Sequence, residues 1–543
     1  MGEEMKTKKK IFLLCVIGLC TLVTGSVYAI TKNQKYVKLV ASDLGDSILE
    51  VEHNYKSIFE EAYQKKVTKK IENKVSKKKY TLENPLLLYN PYGTNTLALN
   101  IYFSADVEGS LSYTIIAEGT EDFSKTAVND TSLKDTYAYQ IIGLVPGKEN
   151  TITFTFTEKD GTKKTKTVKI QVPKLTTETD LEIDVQEGES TEEITDGLFA
   201  VLGHDKNFNA NIYLFDNAGT IRSELVLDGY RADRIEFIDD CMLYSISTDQ
   251  LVMVNRLGEV VKQYHLDNYK MHHDYMYDEN TNQLLILASS KNGTTIEDKV
   301  ISLDLKTSVV KELLDMKNYV QDLYKNAVNP GKNAYGTTAL DWVHLNSIAL
   351  EGDNIILSSR ELSTIIKIDS IYTNPTLNYI ITDDSVLENT NLKDKNLTKI
   401  GDFVSQAGQH AVTYSKEDGM EDGTYYLSMF NNNYKTATTR PDFDWSVYPG
   451  TGTYLEGEQS YYYKYLVNEK NHTYTLVESI SLPYSSIVSS VQSYQNHLVT
   501  SSGLSNEYRE LDAEGKLIRS YTYSAKKYAY RVFKYTFDNF WFS

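Results

Sequence analysis

Nine histidines are spread through 543 residues. Five of them, His204, His272, His273, His344 and His410, stand where an apolar strand pattern opens. An imidazole can take up or give back a proton near neutral pH, or attack an electrophile without first becoming an anion, so a converging set could supply both a nucleophile and an acid/base pair. The clearest contexts are Met271-His-His-Asp-Tyr275, Asp341-Trp-Val-His-Leu-Asn-Ser347 and Gly408-Gln-His-Ala-Val412. His344 and Asn346 lie two apart on a strand and so share a face. Spacing alone leaves a second reading open, in which these histidines cap buried strand ends. His53, His265, His472 and His497 fall on a helical segment or at surface-like strand ends and turns.

Other chemistries leave no trace in the sequence. It has no Gly-rich phosphate loop with its Lys, no His-Glu-x-x-His, no Gly-x-Ser-x-Gly elbow and no Cys-x-x-Cys pair. The run Asp205-Lys-Asn-Phe-Asn-Ala-Asn211 lacks the central Gly and terminal Glu of a calcium loop and reads as a turn between strands. Of three cysteines, Cys15 and Cys20 lie in the leader and only Cys241 lies beyond it. With the leader removed, neither an intrachain disulfide nor a multi-cysteine metal site can form. No cofactor is implied. The 74 Asp and Glu against 56 Lys and Arg, a net charge of -18, argue against a nucleic-acid partner.

Residues so far apart can meet only if repeated elements bring their openings together. From Ile194 onward strands recur with Asp-Gly and Asn-Gly turns, as in Asn354-Ile-Ile-Leu-Ser-Ser and Val300-Ile-Ser-Leu-Asp304. The quasi-period of about 45 to 60 residues is that of propeller blades, and it gives six blades, or at most seven. The innermost strand of each blade begins near a mouth of the central channel, which would gather the histidines. Lys311 to Thr338 and Asn431 to Tyr463 are long enough to be loops over that channel, and Tyr319, Tyr324, Tyr335, Trp342, Trp445 and Tyr448 are aromatic residues in or beside such loops. The fold expected is therefore all-β, a six-bladed β-propeller over residues 196–543. The 42 tyrosines suit sheets whose rings cover apolar neighbours.

Ahead of the propeller, residues 80–175 alternate in period two and close with an Asp160-Gly161 hairpin, the pattern of a small β-sandwich. The polar, acidic stretch 176–195 reads as a linker. Residues 31–79, Lys- and Glu-rich with Ile48, Val51, Ile58 and Phe59 near helical spacing, read as a helical stalk. Residues 1–30 carry Lys6 to Lys10, an apolar run Ile11 to Val23 and Val27-Tyr-Ala29. These are the parts of a secretory signal cleaved after Ala29, or of an uncleaved membrane anchor, so the chain is expected outside the cytoplasm.

Tyr89-Asn-Pro-Tyr-Gly93, Gly197-Leu-Phe-Ala-Val, His272-His-Asp, Asp341-Trp-Val-His-Leu-Asn-Ser, Leu357-Ser-Ser-Arg360 and Gly408-Gln-His410, in that order, resemble the bacterial arylsulfate sulfotransferases. The likeness spans sandwich and propeller. It implies an exported enzyme that moves a sulfuryl group from an aryl sulfate donor to a phenolic acceptor, without a nucleotide sulfate donor, in two steps through a sulfohistidine. By the same resemblance His410 is the nucleophile, His344 and Asn346 bind sulfuryl oxygens, and Arg360 is the guanidinium at that group. The His272-His273 pair supplies the acid/base, with His272 the first choice. A hydroxyl of the last blade, Ser489, Ser490 or Thr500, would complete the oxygen ligands, with Ser490 taken as the candidate. The sandwich could mediate a homodimer by the same analogy. Two other functions remain compatible with the sequence: a non-catalytic cell-surface propeller that binds a polymer or protein, and an aryl sulfate hydrolase.

Overall fold

The computed structural model describes residues 35–175, 182–203, 211–524 and 528–543. The leader expected over 1–30, His204 and all but the last residue of the asparagine-rich turn lie outside the described residues. From Ile183 onward the described residues form six sheets of four or five strands, antiparallel except where the edge pair Thr398–Lys399 runs parallel to its neighbour. These are the six blades of a β-propeller. Numbered along the chain, the innermost strands of blades 2 to 6 are Glu236–Ile238, Tyr269–Asp278, Leu345–Glu351, His410–Ser415 and Ser489–Tyr494. Blade 1 is assembled from both ends of the domain. Its outer strands are Leu198–Leu202, Ile212–Phe215 and Ile221–Leu225, while its innermost strand is Arg531–Tyr535 from the chain's end.

The expected linker over 176–195 needs correction, because Ile183–Glu187 is a strand on the outer edge of blade 6, paired with Leu517–Tyr523. The physical reason is a period-two pattern hidden among acidic residues. Ile183 and Val185 share one face of the strand and pack onto the core. The ring is thus closed twice, once at its innermost strand and once at its rim.

The sandwich consists of a five-stranded and a four-stranded sheet. The stalk expected over 31–79 is also corrected. Val37–Ala41 and Ile48–His53 form an antiparallel hairpin that joins the larger sheet by parallel pairing with Leu86–Tyr89. Only Glu61–Val75 is a helix. That helix buries Tyr63, Val67 and Ile71 against Leu86, Leu88 and Tyr102 of the sheet and Leu257 of blade 2, so it is a buttress and not a free stalk. Apolar residues at strand spacing were sufficient for the hairpin once a neighbouring sheet edge was available to pair with.

Sandwich and propeller share one core that runs from Leu111 and Phe156 through blade 1 to Phe537, Trp541 and Phe542. Trp541 Nε1 donates to Gln140 Oε1 at 3.0 Å. Arg222, fully buried between the two domains, donates to Asp216 Oδ2 at 2.6 Å and to the Glu121 carbonyl at 2.7 Å. No helix of the described residues is long and apolar enough to cross a membrane.

Candidate active site

The inner strands do not run straight into the channel mouth. Pairing slips between Met271 and Tyr275 in blade 3, between Leu345 and Ser347 in blade 4 and between His410 and Thr413 in blade 5. Each slip inserts a bulge that re-aims side chains. Left-handed backbone accompanies them, with φ of 61° at His273, 47° at His344, 54° at Ala411 and 52° at Val488, which precedes the inner strand of blade 6. For residues other than glycine this conformation costs on the order of 1–3 kcal/mol each, and it persists only where surrounding contacts enforce it.

Arg531 is one such contact. Only 1% exposed, it donates to Asp274 Oδ1 at 2.8 Å and to the Asn346 carbonyl at 3.0 Å, so one guanidinium fixes the bulges of blades 3 and 4. Asp274 also accepts from Arg234 Nε at 3.1 Å. Four blades are thereby tied across the channel.

These bulges, with the turn after Asn354–Ser359 that carries Arg360, bring His273, His344, Arg360 and His410 to one cavity of about 570 Å³. Tyr230, Tyr335, Tyr434, Tyr454, Tyr528 and Tyr530 contribute to its wall. The wall is therefore aromatic and polar, with two guanidinium groups, Arg231 and Arg360. The long segments 311–338 and 431–463 supply Tyr335, Tyr434 and Tyr454. The other loop aromatics of the sequence reading do not line this cavity. Tyr324 packs on Trp342 at 5.3 Å, and Trp445 packs with Phe443 and Tyr448.

His410 is 1% exposed, and its Nδ1 lies 2.8 Å from Asn432 Oδ1 and 3.2 Å from the Gly408 carbonyl. The Asn432 amide is itself oriented, because its Nδ2 donates to the Ser485 carbonyl at 2.7 Å and to Ser489 Oγ at 3.0 Å. Its oxygen can therefore only accept, as can the Gly408 carbonyl. The proton must sit on Nδ1, which leaves the Nε2 lone pair free. Burial, with Arg360 adding to it, lowers the His410 pKa to about 3, so the ring is neutral.

His344 has the opposite setting. Its Nδ1 lies 2.7 Å from Asp341 Oδ2 and 2.5 Å from Glu297 Oε2. Burial and Arg360 oppose its protonation, and the two carboxylates outweigh them, raising the pKa to about 9. At neutral pH the ring is a cation whose Nε2–H has no protein partner. Arg360 Nη2 approaches His344 Nδ1 at 3.2 Å, and Arg360 Nε is buried without a partner. With Nδ1–H given to the carboxylates, both cations hold unpaired donors, ready for the oxygens of an anion.

His272 and His273 touch through their Nδ1 atoms at 2.9 Å, and burial lowers both pKa values. His273 lines the cavity with His410, whereas His272 opens to a neighbouring cavity of about 780 Å³. The geometry therefore exchanges the order within the pair: His273 faces the site and His272 stands behind it. Asn346, 0% exposed, is not on the cavity wall. Its Nδ2 donates at 2.7 Å to the carbonyl of Gln409, the residue before His410. Ser490 is also elsewhere, bonded to the Val532 carbonyl at 3.0 Å and amide at 3.1 Å, where it ties blade 6 to blade 1. Ser489 orients Asn432, and Thr500 is buried in the second strand of blade 6.

Glu297, absent from the sequence reading, is the hub of this side. It contacts His344, lies 3.8 Å from His273 and accepts from the Tyr335 hydroxyl at 2.6 Å. Despite burial, His344 and His273 hold its carboxyl well below the usual range. His272, His273 and Glu297, and separately Glu297, Asp341 and His344, offer ligand atoms within 4.8 Å of one another. A metal ion there would compete with the proton on His344, which already supplies the positive charge that the two carboxylates face.

Comparison with known proteins was made on this background. A search of curated sequences finds no match. Among solved structures, a putative 6-phosphogluconolactonase from Bacteroides uniformis is 10% identical over 79% of this chain and 100% of its own, with a TM-score of 0.36. The WD40 domain of coronin from Toxoplasma gondii is 9% identical over 63% of this chain and 76% of its own, with a TM-score of 0.30. Likenesses this weak carry no argument about function. The family models do: the arylsulfotransferase Ig-like domain matches residues 86–173 and the arylsulfotransferase (ASST) model matches 184–537. With nearly the whole propeller and the sandwich covered, the chain belongs to the arylsulfotransferase family.

Proposed function

We propose that the protein transfers a sulfuryl group from an aryl sulfate to a phenol in two displacements, with His410 Nε2 holding the group between them. The observation that carries this reading is the fixed tautomer of His410. Asn432 and Gly408 take its Nδ1–H, so a neutral lone pair faces a cavity that also holds Arg360 and protonated His344.

In the first step the Nε2 lone pair attacks sulfur, the S–O(aryl) bond breaks, and the phenolate leaves with the electron pair. His344 Nε2–H and the free Arg360 N–H groups meet the sulfuryl oxygens, where charge is greatest in the transition state. In the second step the acceptor phenol gives its proton to His273 and its oxygen attacks sulfur. The N–S bond then breaks and its pair returns to Nε2. His273, which burial keeps neutral, passes that proton on to solvent, and the phenolate freed in the first step takes up a proton from solvent, which closes the cycle. Asn346 acts through Gln409, holding the backbone that carries His410.

The test uses a chromogenic aryl sulfate with and without an added phenol, and mass spectrometry of protein treated with donor alone. Phenol-dependent transfer and an acid-labile adduct on His410 are expected. Phenol-independent release would mean a hydrolase, silence from folded protein would mean a binding propeller, and an adduct on another residue would overturn the nucleophile. We also propose export, on the basic and apolar pattern of residues 6–29. N-terminal sequencing of fractionated protein should find a start near Ile30 or the intact chain in membranes. Full-length protein in the cytosol would refute both.

A further inference from the structure

One charged group on the cavity wall has no part in the sulfuryl chemistry. Arg231 gives its Nε–H to Asp233 Oδ1 at 3.1 Å and lays its guanidinium over the Tyr530 ring, 3.7 Å from the centroid, with the Tyr230 ring at 5.0 Å. Its side chain is 16% exposed and that of Asp233 1%. The pairing thus leaves the terminal Nη groups facing the cavity that Arg231 lines. Its stem is held by close approach to Gly203, whose φ is +76°. A Cβ there would stand 2.8 Å from Arg231 Cδ and 3.0 Å from Tyr530 Cβ.

Tyr530 also links this group to the reacting region. Its ring centroid is 5.6 Å from that of His273, the group that faces the phenolic oxygen in the mechanism above. Arg231 and His273 therefore both approach one tyrosine ring, which puts the guanidinium and the group that faces the phenolic oxygen on the same part of the cavity wall. A guanidinium stacked on an aromatic face keeps its edge free for two parallel hydrogen bonds to a planar oxyanion.

We propose that Arg231 is an anion subsite, and that the protein's preferred aryl substrates carry a carboxylate on the ring. The inference rests on the transfer reading above and narrows its substrate class. A neutral phenol leaves the Nη groups to water. A carboxylated one replaces that water with a charge-assisted hydrogen bond, while the surrounding tyrosines cover the ring faces.

The first measurement is the ratio of kcat/KM for 4-hydroxybenzoate to that for phenol as acceptors, with one fixed donor. The native protein should favour the carboxylated acceptor by about tenfold, the worth of one charge-assisted pair. Arg231→Met should abolish the preference and Arg231→Lys should keep part of it. The double variant Arg231→Met with Asp233→Asn, which strands no carboxylate, should lose the preference as Arg231→Met does. An equal ratio in native protein, or a preference that survives in the double variant, overturns the subsite. The second measurement does not need turnover: calorimetric binding of 4-hydroxybenzoate should weaken about tenfold in the double variant. Unchanged binding refutes the subsite even if transfer occurs. Absence of transfer with weakened binding refutes the transfer reading alone.

Discussion

His410 and His344 are both about 1% exposed and line the same cavity, yet their pKa values separate to about 3 and about 9. Burial pushes both down, so burial does not distinguish them. The difference is what each Nδ1 meets: an amide oxygen and a peptide carbonyl for His410, two carboxylates for His344. Neutral acceptors fix a tautomer without supplying the charge that would retain a second proton. One cavity can therefore hold a neutral nucleophile beside a cation of the same residue type.

The largest effect should come from removing the neutral side. His410→Asn should reduce transfer to roughly a thousandth or less and eliminate the donor-only adduct, since no other group can accept the sulfuryl unit. Retained transfer would contradict the assignment. Removing charge from the opposite side should cost less. Arg360→Met is expected to lower kcat by about 10² to 10³ and leave the adduct detectable on long incubation. Asn432→Asp sharpens the comparison by giving His410 a carboxylate of its own. Its pKa should rise, an acid limb should appear in the pH–rate profile, and activity at pH 6 should fall about tenfold or more while recovering at higher pH. A profile unchanged from native would show that the partner at Nδ1 does not set the charge.

The smallest effect concerns Glu297. Native transfer should decline as pH rises through about 9, where His344 loses its proton, and Glu297→Gln should move that decline to lower pH with only a roughly few-fold loss at neutrality. The same proton stabilises the fold. A histidine pKa raised above its unfolded value contributes stability that is complete below the unfolded value and is lost as pH rises through about 9. Thermal melting at pH 7 and pH 10 should show that loss in native protein, and less of it in Glu297→Gln.

The residues legible in the sequence were those whose role is local to a strand opening. His344 and His410 announce themselves by the strand patterns that follow them, whereas Arg360, just past the strand Asn354–Ser359, is marked only by the family resemblance. Asn432 and Glu297 were not legible, because each works through a partner 22 or 47 residues away and sits in a stretch with no pattern of its own. Only a run of three asparagines, Asn431 to Asn433, marks the first. Ser490 was misplaced for a related reason: period two tells which faces alternate, not which face meets the channel. The repeat and the sandwich were readable because periodicity is what sequence records best. The hairpin Val37–His53 and the strand Ile183–Glu187 were missed since each is completed by a sheet edge supplied from elsewhere.

The strand that closes blade 1, Arg531–Tyr535, follows every other described strand of the propeller in chain order. Arg531, which fixes the bulges carrying His273 and Asn346, opens that strand, and Tyr530, which supports Arg231, immediately precedes it. A growing chain can form the other blades and still have no working cavity, because the clasp that sets its geometry is made after them. A product cut off before Tyr530 therefore lacks both the clasp and the inner strand of blade 1, however many of the other blades it retains.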